Sequence, residues 1–303
     1  MSIATTGVNN STSRTFVEQM RVYLDITRPR VIALVLFTGI PVLKLGQDVW
    51  PSFWMSCWIL IGTAMAGGAS SALNAYFERE SDAKMARTRR RPLPAATLVP
   101  KTVLAYGIVL TVLSTLVLQW VGGWLAAAVG LGTIVFYVGI YTLWLKPRTP
   151  QNIVIGGAAG ATAPLIASAA MTGSITMGAW ILFAIVFLWT PPHFWAIALY
   201  RKQEYAEAGF PMMPLVVGDQ PTRWRSLVYT FATLAVSAVP VWLGDLGAWY
   251  GIAAVGLGLW FLWSVIRSMM LQTVESDYRV FKISISYLTF LYLAMLLDLV
   301  LYT

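Results

Sequence analysis

Residues 74 to 94 read NAYFERESDAKMARTRRRPLP. Asn74, Glu78 and Asp82 fall at i, i+4 and i+8, so a helix continuing from the apolar run before them puts an amide and two carboxylates on one face. Lys84, Arg87, Arg89, Arg90 and Arg91 follow at once. Acids that hold a hard divalent cation, beside guanidinium and ammonium groups that grip phosphate, are suited to binding a diphosphate through magnesium. A charged loop between apolar spans is ordinarily just solvated, but here acids, amide and bases follow a spacing that suits one site. The rest of the chain reads as a membrane scaffold that holds this loop at one bilayer face.

Of 303 residues, 58% are hydrophobic and 11% charged, with fourteen Trp; soluble domains carry roughly 25% charged residues. The expected class is an integral membrane protein. Residues 1 to 30 lack an apolar stretch ending in a small-residue cleavage site, so they read as a cytoplasmic segment retained on the mature chain, with an amphipathic surface helix over 14 to 28. Residues 31 to 303 read as one transmembrane domain. The single cysteine, Cys57, excludes an intrachain disulfide and a cysteine metal cluster, and reads as a small buried hydrophobe.

Nine apolar runs of about 20 residues predict nine transmembrane helices in an all-α polytopic fold: 31 to 49, 53 to 75, 102 to 120, 123 to 145, 152 to 171, 176 to 200, 225 to 243, 247 to 267 and 280 to 300. If these alternate, 20 of the 21 lysines and arginines fall on one side and only Lys44 on the other. The positive-inside rule then makes the N-terminus and the long loops cytoplasmic. The net charge of +8 is thus topology, and no nucleic-acid motif competes with that reading.

Thr27-Arg28-Pro29-Arg30 before the first run is echoed by Leu145-Lys146-Pro147-Arg148 before the fifth. Each is followed by two spans and a long charged loop, which implies two four-helix pseudo-repeats plus one helix, with a site where the loops 76 to 101 and 201 to 225 meet. In the second loop Glu204 is the acid best placed to answer Glu78 and Asp82. Glu207 and Asp219 read as solvated charges, and the later group Arg267, Glu275, Asp277, Arg279 and Lys282 as topology determinants. Gly67, Gly68, Gly156 and Gly160 read as helix-packing positions. Pro191 and Pro192 should break or kink the sixth span. The sole histidine, His193, follows them, either as a functional group or as the donor to a carbonyl that the prolines free.

The pattern N-x-x-x-E-x-x-x-D-x-x-M-x-R-T-x-x-R-P, with Tyr141-Thr142, Leu145-Lys146, Thr149, Asn152 to Gly157, Pro191 to Trp195 and Ala208 to Met212, resembles the UbiA superfamily of intramembrane prenyltransferases and, within it, the branch that farnesylates heme. The likeness runs from about residue 25 to about 220. It departs in having Glu78 as the first acid and Glu204-Tyr205 where many relatives carry an aspartate pair.

The resemblance implies transfer of farnesyl from farnesyl diphosphate to a vinyl group of heme b, at an inner membrane with the active-site loops cytoplasmic. The product would pass to heme A synthase or terminal oxidase assembly. On that reading Asn74, Glu78, Asp82 and Glu204 hold magnesium, and Lys84, Arg87, Arg91, Lys146 and Arg148 stabilise the diphosphate. Tyr76, Phe194 and Trp195 are candidates to shield the allylic cation, and His193 to bind heme. A prenyltransferase for a quinone precursor uses the same acids. A secondary transporter would share the repeat and the broken helices, yet it should carry its charges near the bilayer midplane rather than crowded at one end.

Overall fold

A computed structural model describes residues 15 to 47 and 49 to 301; Arg14, in the predicted surface helix, lies outside them. Thr15 and Glu18 form a reciprocal capping box that starts α1, Phe16–Ile26. α2, Pro29–Gly39, opens on a proline, which suits a first helical position, and tightens into a 3-10 turn, Ile40–Leu43. Ser52 caps α3, Phe53–Lys84, whose 32 residues carry the acidic stretch past its apolar part.

α4, Pro100–Val135, runs on as a π-helix, Phe136–Leu145. Forty-six residues in a straight helix would span about 69 Å, far beyond a bilayer core of about 30 Å. The run is not straight. Gly123 leaves helical geometry at φ 73°, a conformation that favours glycine. Leu118 meets Gly130, where an added Cβ would come within 2.5 Å of its side chain. Twelve residues along one helix are about 18 Å apart, so the chain folds back at Gly123.

α5, Asn152–Gly160, and α6, Ala163–Thr172, together form one span with a break. α7, Met177–Tyr200, is followed by the short α8, Lys202–Glu207, and α9, Met213–Val216. The last three are α10, Asp219–Trp242, α11, Ala248–Leu271, and α12, Val274–Leu301. No strand occurs among the described residues.

Six helical runs are long and apolar enough to cross a membrane, and the bent pair Phe16–Ile26 and Pro29–Leu43 makes a seventh if taken as one span. The predicted run 31 to 49 is realised as the shorter Pro29–Leu43, and 102 to 120 with 123 to 145 as one helical stretch with its fold at Gly123. The run 225 to 243 sits in α10, which is less apolar because it carries a buried hydroxyl stripe: Thr222, Ser226, Thr230, Thr233 and Ser237 each donate to the carbonyl four residues back. Such back-bonding satisfies a hydroxyl that lipid or apolar side chains cannot.

The core lies between α4, α6, α7, α10, α11 and α12, with Tyr250, Phe261, Tyr287 and Tyr292 fully buried in it. The outward faces of α4 and α11 are apolar, with Ile108, Val112, Leu116, Ile252, Val255 and Leu259 exposed. An apolar surface of that extent faces lipid. Trp54, Trp120, Trp124, Trp242 and Trp249, all exposed, stand beside the turns away from the charged loops, where an aromatic belt marks a bilayer interface.

One expectation fails here: Pro191 and Pro192 do not break the sixth span, and α7 continues through them as one uninterrupted helix. Neighbours hold it on both sides of the prolines: Trp189 Nε1 donates to the Ser284 carbonyl at 2.8 Å before them, and His193 pairs with Ser284 Oγ at 2.8 Å after them. Asp277 is more than a topology determinant. It is buried against Arg223, which donates to both carboxylate oxygens, at 3.0 and 2.6 Å.

Candidate functional site

The three residues of the α3 face are buried, and each takes a partner from a different element. Arg28 Nη2 donates to Asn74 Oδ1 at 2.8 Å, and Asn74 Nδ2 to Thr142 Oγ1 at 3.0 Å. Lys146 Nζ donates to Glu78 Oε1 at 2.5 Å, and Arg91 Nη1 to Asp82 Oδ2 at 2.7 Å. Helix periodicity stacks the rungs one turn apart. An amide or carboxylate therefore faces a cation at three levels over about two turns.

Each cation is positioned by local chemistry. Arg28 caps α2 from the left-handed region, at φ 59°, a conformation that costs a non-glycine residue energy and persists where surroundings enforce it. Arg91 belongs to the turn-rich segment after α3, pinned by Thr88, whose hydroxyl donates to the Asp82 carbonyl at 2.7 Å. Lys146 ends the π-helix. The wider π turn lets Thr142 donate to the Tyr137 carbonyl five residues back, and the Tyr141 ring lies against Gly156 so closely that an added Cβ would overlap it. Glycine at 156 is thus a packing requirement, and π segments recur at functional sites. Lys146 also stands over the rings of Phe210, at 4.8 Å, and Tyr141, at 5.9 Å.

Burial lowers the pKa of Lys146 below the ordinary lysine value, against the attraction of Glu78. Arg91 is lowered too, first by burial and then by the like charge of Arg28, against Asp82. A small cleft opens beside the face, lined by Asp25, Arg28, Asp82, Arg91 and the Pro92 to Pro94 turn.

The two charged loops do meet. Met85 from the first packs with Ile153, Ala198, Tyr205 and Met212, joining the second loop to the α5 start. Glu204, however, pairs with Arg201 of its own turn at 2.6 Å and has no hydrogen bond to Glu78 or Asp82. Its Oε2 is buried with no hydrogen-bond partner among the described residues. No group of three or more His, Cys, Asp or Glu that could hold a metal occurs among those residues, so the predicted four-ligand set is not a preformed cage. The donor chemistry still fits magnesium, which is held through one or two carboxylates plus substrate phosphates rather than by an all-protein cage.

Other expectations need correction. Arg148 caps its own helix, donating to the Leu143 and Trp144 carbonyls at 2.9 and 3.0 Å. Lys84 and Arg87 are exposed, Arg87 near enough to Arg91 and Tyr205 to act on both electrostatically. The shielding candidates are not gathered at the acidic face. Tyr76 lies under Arg79 and beside Phe77, Phe194 is exposed, and Trp195 is buried against Tyr229. The reason is periodicity: position 76 is about 200° around the helix from 74, and 194 and 195 point to either side of α7. Tyr141 and Phe210 stand at the site instead. His193 is buried and pairs with Ser284 Oγ at 2.8 Å, not with a freed carbonyl. Arg28 was missed as a site residue, although it holds in the first half the place that Lys146 holds in the second.

The UbiA prenyltransferase family model matches residues 35 to 293. A relative from Rhodopseudomonas palustris (strain HaA2), named protoheme IX farnesyltransferase, is 44% identical over 92% of this chain and 90% of its own. One of the same name from Chloroflexus aurantiacus is 41% identical over 97% of this chain, which spans 50% of that longer protein. Among solved structures, a digeranylgeranylglyceryl phosphate synthase superposes with a TM-score of 0.78 at 17% identity over 93% of this chain and 99% of its own. A UbiA homolog from Archaeoglobus fulgidus bound to DMAPP and Mg2+ does so with 0.63 at 14% over 89% and 98%. These structures share the fold. With a family model covering most of its length and a relative this similar across nearly all of both chains, the protein belongs to the UbiA prenyltransferase family.

Proposed function

We propose that this protein transfers the farnesyl group of farnesyl diphosphate to a vinyl group of heme b, with addition of water, giving a hydroxyethylfarnesyl side chain. The observation that carries the reading is the α3 face, where each acid or amide is matched by a cation that can turn to a phosphate. Names of relatives over 40% identical favour heme b as acceptor. Glu78 and Asp82, with Asn74 and the unpartnered oxygen of Glu204, would hold magnesium. Bound there, the ion supplies Lewis-acid neutralisation of the leaving diphosphate.

The chain's own cations do the rest of the electrostatic work. Arg28, Arg91 and Lys146 draw off charge as the allylic carbon–oxygen bond breaks and diphosphate leaves. Their burial strengthens that effect, because fixed charges act more strongly in a water-poor site. Tyr141 and Phe210, already facing Lys146, can turn their faces to the allylic cation. The vinyl carbon attacks it, the porphyrin-side cation takes up water, and a proton is released.

The reading extends to topology: one transmembrane domain crossing an inner membrane nine times, with the N-terminus and both charged loops cytoplasmic. Its product would serve heme A synthase or terminal oxidase assembly. With Cys57 replaced, a cysteine at Arg90 or Gln203 should be labelled only from the cytoplasmic side, and one at Asp245 only from outside. The activity is tested by incubating membranes holding the protein with heme b, farnesyl diphosphate and magnesium and separating the hemes by chromatography. A more apolar, farnesylated heme is expected. Unaltered heme b beside prenylation of a quinone precursor would replace the acceptor.

A further inference from the structure

Two rungs of the α3 face share one spacing. Asn74 bonds Thr142 and Glu78 bonds Lys146, each pair 68 residues apart in the chain. Residues four apart lie on one helical face, so Asn74 and Glu78 meet Thr142 and Lys146 at successive turns. The charged rung has its task in the proposed chemistry. The neutral rung lies one turn nearer the apolar part of α3, with Asn74 1% and Thr142 6% exposed, and Thr142 has no task there.

The partners fix the direction of every hydrogen bond in the neutral rung. Arg28 can only donate, so the amide atom that accepts from it at 2.8 Å is Oδ1. Nδ2 therefore faces Thr142 Oγ1 at 3.0 Å, and the hydroxyl, accepting there, sends its proton to the Tyr137 carbonyl at 2.8 Å. In an α-helix a threonine bonds the carbonyl four back; here the π turn brings the fifth into reach, and the Lys146 N–H likewise closes five back on the Tyr141 carbonyl at 2.9 Å. A reversed amide would take the hydroxyl proton on Oδ1, deprive the Tyr137 carbonyl of it and set Nδ2 against the guanidinium. It would keep one of the three hydrogen bonds.

When Arg28 turns to a diphosphate, Asn74 loses one of the two partners that set its orientation. Thr142 is anchored to its own helix and stays. Without Arg28 the observed amide keeps two hydrogen bonds and the reversed one a single bond, so Oδ1 remains turned to the space that the guanidinium leaves. We propose that Thr142 is a positioning residue, which holds the Asn74 amide oxygen toward magnesium and diphosphate while Arg28 engages phosphate. The proposal rests on the magnesium reading of the α3 face. A hard cation takes oxygen ligands, whereas an amide N–H turned the same way would repel it.

The test is calorimetric titration of detergent-purified, full-length protein with farnesyl thiodiphosphate, an analogue that ionises slowly, over a series of magnesium concentrations. Thr142→Val, which keeps the volume and removes the hydroxyl, should raise the magnesium needed for half-maximal binding about 10- to 100-fold, the usual cost of removing an outer-shell partner of a metal ligand. Thr142→Ser should bring it back near wild type, and Thr142→Ala asks the same question if valine is not accommodated. Because Thr142 acts through Asn74, adding Thr142→Val to Asn74→Ala should change the magnesium requirement no further. A wild-type magnesium requirement in both Thr142→Val and Thr142→Ala would overturn the proposal, and so would an equal loss with and without Asn74, which is what a residue that merely pins the π turn would give. Wild-type protein that binds the analogue equally with and without magnesium would instead bring down the magnesium reading, and this proposal with it.

Discussion

Two regions hold buried opposite charges, and they are built differently. Between α10 and α12, Arg223 and Asp277 close on each other through two hydrogen bonds, and Ser268 adds a third to Asp277 Oδ1 at 2.5 Å. On the α3 face each carboxylate takes a single cation through one oxygen. The first arrangement leaves little unsatisfied, so it can only hold helices together. The second keeps carboxylate lone pairs and cation donors in reserve for a bridging ligand. Burial of charge alone does not mark a site; the free valence does.

The largest effect expected from breaking the comparison is on catalysis. Lys146→Met should lower turnover about 10²- to 10³-fold by removing one preorganised donor, with the thermal unfolding of detergent-purified protein changed far less. Asp277→Asn should do the reverse. Leaving Arg223 buried without its counter-charge costs about 3 to 5 kcal/mol of stability, visible as a lower unfolding temperature, while turnover per folded molecule stays near wild type. A wild-type unfolding temperature in that variant would remove the distinction between the two pairs.

A smaller effect sharpens it. Because burial lowers the Lys146 pKa, its ammonium should lose its proton as pH rises before an ordinary lysine does. Activity should then fall on the alkaline side below the usual lysine range. Lys146→Arg keeps its charge there and should move that limb to higher pH, checked by pH–rate profiles of both proteins. The smallest effect belongs to Arg148→Ala. Its guanidinium is spent on two helix carbonyls, so turnover should stay within about threefold of wild type.

What the sequence discloses follows from range. The α3 face is legible because helix periodicity alone brings 74, 78 and 82 together, and the lipid-facing surface because composition alone requires it. Arg28 was legible in principle, since the Thr27 to Arg30 echo of Leu145 to Arg148 puts it in the place of Lys146. The partners of His193 and Asp277 were not: Ser284 lies 91 residues from one and Arg223 lies 54 from the other, and no local pattern pairs them. Pro191 and Pro192 misled because a proline's lost hydrogen bond is a local fact, whereas the neighbours that keep α7 continuous are tertiary. Tyr76, Phe194 and Trp195 misled for the opposite reason: an aromatic face suits a cation, but the helical angle turns these rings away from the α3 face.

The central claim is that the carboxylates of the α3 face carry turnover and not packing. It is tested most directly by expressing wild-type and Asp82→Asn proteins to equal levels in membranes and measuring farnesylated heme formed from heme b and farnesyl diphosphate with and without magnesium. The account predicts a magnesium-dependent product from wild type and none above background from Asp82→Asn, with Glu78→Gln behaving alike. Wild-type product formation by the Asp82→Asn protein would contradict it.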